Sequence, residues 1–168
     1  MKLILLNCTL SIAVWLAFVN PSLTTAGSPA VMATFVGTTP CGQMIRPLFK
    51  VAEQTDCALV EWTLTLYQDA VTHEPTTFKL TSINRYVVEG TNMYSEPGTK
   101  SATEGKWSIV KGNGSKRNAI IYRLNPGHPT LSMSFLKLSD NLIHALDPRG
   151  NLMVGNAFHN YTLTRTGN

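Results

Sequence analysis

Charge is scarce in this sequence: 14 Lys and Arg and 10 Asp and Glu are spread over 168 residues, for a formal net charge of +4. The basic residues form no cluster, so the electrostatic footprint that nucleic-acid or membrane-surface binding requires is missing. Catalytic signatures are missing as well. The sequence has no Gly-x-Ser-x-Gly elbow, no His-Glu-x-x-His pair and no Walker loop. Its ten carboxylates make no recognisable acid–base pair, and its four histidines, His73, His128, His144 and His159, are far apart. Cysteines number three, Cys8, Cys41 and Cys57. After Gly27 no segment holds a helical period, and no repeat or low-complexity tract is visible. These absences point away from an enzyme, a cofactor and a nucleic-acid partner.

What is present begins with a leader-like start. Lys2 precedes an apolar run from Leu3 to Val19 that is interrupted at Asn7, Thr9 and Ser11; Asn20-Pro21 breaks it, and Thr24-Thr25-Ala26 places small residues where a signal peptidase reads. A cleaved signal peptide over residues 1–26 is expected, with one domain over residues 27–168 and an exported destination, periplasmic or secreted. A membrane anchor is the alternative, but about 17 apolar residues is at the lower limit for a span. Cys8 lies inside the apolar run and is not set in a lipidation box.

Removing the leader leaves Cys41 and Cys57, and two thiols in an exported chain form a structural disulfide more often than anything else. The chain-entropy value for a loop of this length is about 3 kcal/mol. The alternative is a free reactive thiol, for which only Lys50 stands nearby as an activating charge.

The body of the chain reads as short alternating runs between turn residues. Val60, Trp62, Leu64 and Leu66 alternate with Glu61, Thr63 and Thr65, the pattern of a half-buried strand. Further strands are expected at Ile45–Val51, at Thr77–Val88 with a bend near Asn84, and at Lys106–Val110. After a Gly112–Ser115 hairpin turn comes a strand at Ala119–Leu124, then a turn at Asn125–Pro129. The rest follow at Leu131–Lys137, Leu142–Leu146 and Tyr161–Arg165, separated by Ser139–Asn141 and Asp147–Asn151. The irregular stretch Glu89–Thr103 is the longest loop and a candidate cover for one mouth. About eight antiparallel strands in meander order close into a barrel, which removes exposed edges; a two-sheet sandwich is the runner-up.

Soft-metal ligands are the one chemistry worth weighing. Met44, Met93, Met133 and Met153 are available beside the histidines, but no Met-x-Met or His-x-His pair pre-assembles a site. The methionines read as core filler, and Trp62 and Trp107 as core or barrel-end residues. His144 and His159 fall on or near strands, His73 and His128 in turns. Asn113-Gly-Ser and Asn160-Tyr-Thr fit the glycosylation sequon, which matters only in a host that uses it.

Several separated motifs then converge. Thr39-Pro40-Cys41 is followed by Cys57 and, six residues on, by Leu64-Thr65-Leu66; Gly105-Lys106-Trp107, Leu146-Asp147-Pro148-Arg149-Gly150-Asn151 and Tyr161-Thr162-Leu163 come after. In this order they resemble the N-terminal domain of the NlpE-like copper-resistance and envelope-stress lipoproteins, across about Gly37 to Arg165. The resemblance implies a small lipocalin-like barrel and a non-catalytic role in envelope homeostasis or metal stress. Two features depart from the family. Its Cys-x-x-Cys pair is split here into Cys41 and Cys57, and its lipid-attachment cysteine and second barrel have no counterpart. A split pair staples rather than captures a soft metal, so no tight copper site is expected. The alternative function is lipocalin-like binding of a small apolar ligand, since eight strands can enclose one molecule. A packed interior favours the first reading and an open one the second.

Overall fold

The computed structural model describes residues 28–112, 117–125, 127 and 131–167. The expected signal segment, residues 113–116 with the Asn113 sequon, and residues 128–130 with His128 lie outside the described residues.

The expected closed barrel is present. Eight strands, β1 (Pro29–Pro40), β2 (Leu59–Asp69), β3 (Pro75–Arg85), β4 (Thr99–Lys111), β5 (Ile120–Asn125), β6 (Met133–Lys137), β7 (Leu142–Leu146) and β8 (Thr162–Thr166), pair in chain order, all antiparallel, and β8 returns to β1. Alternation decides which side chains enter the lumen. On β2 these are Val60, Trp62, Leu64 and Leu66, and each is buried. Cross-strand register carries the inward phase onward to Phe78 and Leu80, to Trp107 and Leu124, and to Phe135, Ile143 and Leu163.

The first strand is not where the sequence pattern put it. Ile45–Val51 contains a single 3-10 turn, Pro47–Phe49, and no strand. Proline at the start of that turn and Lys50 at φ +57° are both incompatible with extended pairing. Ile45, Leu48 and Phe49 are buried because the turn seats them on the barrel mouth. The true first strand, β1, sends Ala33, Phe35, Gly37 and Thr39 inward, with a register shift between Val31 and Ala33. That inward row holds a single large apolar residue.

Two other boundaries move. β4 begins at Thr99, so the expected Glu89–Thr103 loop shortens to 86–98. The inward residues Thr99, Ser101 and Thr103 are polar, which hid the strand from a hydrophobic reading. β3 ends at Arg85, and Tyr86-Val87-Val88 leaves the barrel as an arm that folds back through a Val87–Tyr94 bridge.

The seam between β1 and β8 holds three residue pairs, Thr34–Thr166, Phe35–Arg165 and Val36–Thr164. Just above them the chains come too close for a side chain: a Cβ on Gly37 would lie 2.5 Å from Leu163 Cδ2 and 3.0 Å from the Thr162 carbonyl oxygen. A side chain there would have to displace Leu163 and press on the Thr162 carbonyl.

The lumen is crossed by aromatic rings. Strands β2 and β6 stand opposite each other in an eight-stranded ring, yet the Trp62 and Phe135 centroids are 6.0 Å apart, edge to face. Phe49, from the turn on the mouth, also meets Trp62, at 4.7 Å. The buried indole N–H is satisfied, donating to Thr39 Oγ1 at 2.8 Å. Nearer the other end, Trp107 contacts Tyr122 at 5.4 Å and donates to the Tyr67 carbonyl at 2.6 Å. Burial raises the Tyr122 hydroxyl pKa. Two cations, Lys137 and Arg165, take inward positions at that end, where Lys137 turns out to Asp140.

Because Phe135 spans the axis, Phe135→Ala is expected to lower unfolding free energy by about 3–5 kcal/mol, measured by urea titration of tryptophan fluorescence. A loss under about 1 kcal/mol would mean that the axis is not packed at that level.

Candidate functional site

The end of the barrel carrying the β1–β2 loop is the chemically varied one. That loop is closed by a disulfide between Cys41 and Cys57, as expected, with Cα atoms 5.7 Å apart. Backbone bonds from Cys41 N to the Ala58 carbonyl (3.0 Å) and from Ala58 N to the Arg85 carbonyl (2.7 Å) root its ends in the sheet. Within the loop, Arg46 Nη1 donates to the carbonyls of Ala52 (2.9 Å), Glu53 (3.3 Å) and Thr55 (2.8 Å), gathering it into a cap.

The cap fills a gap in the wall. β4 pairs with β5 only from Lys106 onward, so its Thr99–Gly105 half has no β5 neighbour. The cap supplies the missing partners: Thr103 Oγ1 donates to the Leu48 carbonyl at 3.0 Å, and Lys50 Nζ to the Ala102 carbonyl at 3.3 Å.

Polar side chains concentrate under this half. Ser82 and Ser101 share a hydrogen bond of 2.7 Å, and Asn84 stands opposite Thr99 in the register. Asn84 Oδ1 is buried and has no hydrogen-bond partner among the described residues. An unpaired buried acceptor costs about 1–3 kcal/mol. A cleft of about 570 Å³ opens here between the cap and the upper ends of β3 and β4, with Phe49, Lys50, Asp56, Asn84, Tyr86 and Lys100 in its wall.

A second cleft, about 680 Å³, lies on the other side of the cap. It brings together Met44, Met133 and Met153, three of the four methionines weighed as ligands. Met133 and Met153 are buried and Met44 is exposed, while Met93 stands on the arm. The core-filler reading therefore holds for Met133 and Met153 and fails for Met44 and Met93. No three His, Cys, Asp or Glu side chains converge as a metal set among the described residues. Both nitrogens of His144 are engaged: Nε2 donates to the Met153 carbonyl at 2.9 Å, leaving Nδ1 to accept from Thr162 Oγ1 at 2.9 Å. His73 sits in the β2–β3 turn at φ +59°, beside Gln68.

The Leu146–Asn151 motif has a mechanical purpose. Asp147 Oδ1 accepts from the N–H groups of Arg149 and Asn151, both at 2.8 Å, and Gly150 adopts φ +83°. The Asn151 N–H, more than the other contacts, holds the Asp147 carboxyl below its usual pKa. The turn is thus favoured above the ordinary carboxylate range and loosens as pH falls through the lowered value.

The arm was missed by sequence reasoning. Arg85 pins its base, donating through Nε to Glu61 at 2.8 Å and through Nη1 to the Ser95 carbonyl at 2.8 Å and to Glu96. These carboxylates, Glu96 first, raise the guanidinium pKa. Its apolar side chains, Tyr86, Val87, Met93 and Tyr94, remain exposed. The adjacent Tyr86-Val87-Val88 was the available signal, read as strand because it is apolar. No helix among the described residues is long and apolar enough to cross a membrane. Comparison with family models, curated proteins and solved structures finds no match.

The cap depends on its staple. Replacing Cys41 and Cys57 by Ser is expected to cost about 3 kcal/mol and to speed hydrogen exchange in residues 42–56 far more than in β2 and β3. Uniform acceleration across the barrel would instead make the disulfide a global brace.

Proposed function

We propose that this chain is a non-catalytic, extracytoplasmic barrel protein that serves envelope homeostasis or metal stress, as its NlpE-like motifs imply, and acts through its surface. The observation that supports this reading best is the Trp62–Phe135 contact across the axis. A carrier of the lipocalin kind needs that axis for its ligand. Here the axis is occupied by protein, and the mouth is stoppered by a loop that the Cys41–Cys57 bridge closes. With both thiols oxidised, the pair is withdrawn from soft-metal chemistry. The disulfide also suits an oxidising compartment outside the cytoplasm.

The methionine-lined cleft gives the metal-stress half of the proposal a place to fail. A competition titration of the oxidised protein against a Cu(I) chelator should show weak, non-stoichiometric uptake, because two of the three thioethers are committed to the core. Stoichiometric sub-nanomolar binding, lost in Met44→Leu or Met153→Leu, would make the protein a copper holder. For the role itself, deleting the gene in the native host should lower tolerance to envelope stress, and the protein should be recovered outside the cytoplasm beginning near Gly27. Unchanged tolerance, with the full-length chain in the cytoplasm, would defeat the proposal.

A further inference from the structure

We propose that the cleft between the cap and the upper ends of β3 and β4 binds a small zwitterion, an amino acid or short peptide with a free ammonium and a free carboxylate. Its volume, about 570 Å³, falls in the range of small-ligand sites. Its lining carries both signs of charge. The acceptors gather toward β3. Asn84 belongs to that strand, and Asp56 is held beside its end because Ala58 N, two residues on, bonds to the Arg85 carbonyl. The ammonium groups gather along β4: Lys100 is part of it, and Lys50 Nζ rests on the Ala102 carbonyl. An ammonium on the β3 side and a carboxylate on the β4 side would each meet opposite charge. Phe49 and Tyr86 supply apolar wall for a side chain.

Asn84 makes the cleft more than a gap in packing. Three buried side-chain polar atoms lack a hydrogen-bond partner among the described residues: Thr76 Oγ1, Asn84 Oδ1 and Arg165 Nε. Thr76 and Arg165 lie toward the opposite end of the barrel, whereas Asn84 is in this cleft wall. Since Oδ1 is buried and finds no donor among the described residues, no hydrogen bond through it fixes the amide's rotation. The terminal torsion of asparagine is broad, and turning it presents the carbonyl oxygen to the cleft, where a ligand N–H completes it. Lys50 has a left-handed backbone, φ +57°, a conformation non-glycine residues adopt mainly when surrounding structure demands it. Its bond to the Ala102 carbonyl holds Nζ on the β4 side. The inference goes beyond envelope homeostasis and stands or falls independently of it.

The test is an NMR titration of the intact oxidised protein with L-phenylalanine and the dipeptide Phe-Gly, each also as its N-acetylated and its C-amidated form. Saturable shifts are expected at the amides of Asp56, Tyr86 and Thr99–Ala102, with the two parents separating a free amino acid from a peptide as the preferred source. Blocking either terminus, or introducing Asp56→Asn or Lys100→Gln, should weaken binding by about tenfold or more. Both of those side chains are exposed, so the variants should fold; Asn84→Leu is the deeper variant, to be read only where its spectrum remains native. The proposal is overturned by shifts that do not saturate by about 10 mM, by equal binding of blocked and unblocked forms, or by saturable shifts confined to other surfaces.

Discussion

Trp62 is held by three contacts. Its indole N–H donates to the fully buried Thr39 of β1, and its ring makes edge-to-face contacts with Phe135 from the opposite wall and with Phe49 from the cap. Each contact belongs to a different part of the chain, and together they unite β1, β2, β6 and the β1–β2 loop. Aromatic pairs of this edge-to-face kind contribute about 0.5–1.5 kcal/mol beyond the area they bury. Their larger effect here is geometric. A ring on the axis fixes how far the walls stand apart, and a ring above it fixes where the cap can sit.

From that constraint the functional end follows. The cap descends far enough to give β4 the neighbours that β5 does not reach, through Leu48 and Lys50. It leaves two clefts beside it, one polar and one lined by methionine. The disulfide and Arg46 keep the cap compact, while Phe49 ties it to the core. A lumen crossed by aromatic rings with a chemically varied mouth suits recognition at the surface better than carriage within.

The strands legible in the sequence were those whose inward rows are uniformly apolar. Val60, Trp62, Leu64 and Leu66 could be assigned by alternation alone, and so could the Phe135 and Leu163 rows. β1 was not, because its inward row of Ala33, Phe35, Gly37 and Thr39 is small or polar and a register shift interrupts it. Thr39 is inward to serve an indole, and Gly37 is small to clear Leu163; both are tertiary reasons that a local pattern cannot carry. The upper half of β4 was lost for the same cause. Conversely, Ile45, Leu48, Phe49 and Val51 looked like a strand because burial was read as extension, although Pro47 argued for a turn. Cys41–Cys57 was legible from the cysteine count and the expected export. The polar cleft was not, since it joins the cap to strands about 30–50 residues further on through tertiary bonds such as Lys50 to Ala102 and Thr103 to Leu48.

The claim that the lumen is packed and stoppered from above can be measured directly by nuclear Overhauser contacts to the Trp62 indole in the oxidised protein. Cross-peaks to the ring protons of both Phe49 and Phe135 are predicted, with the indole N–H protected from exchange by its bond to Thr39. Absence of both sets of cross-peaks, together with a freely exchanging indole N–H, would contradict a filled barrel and restore an open interior.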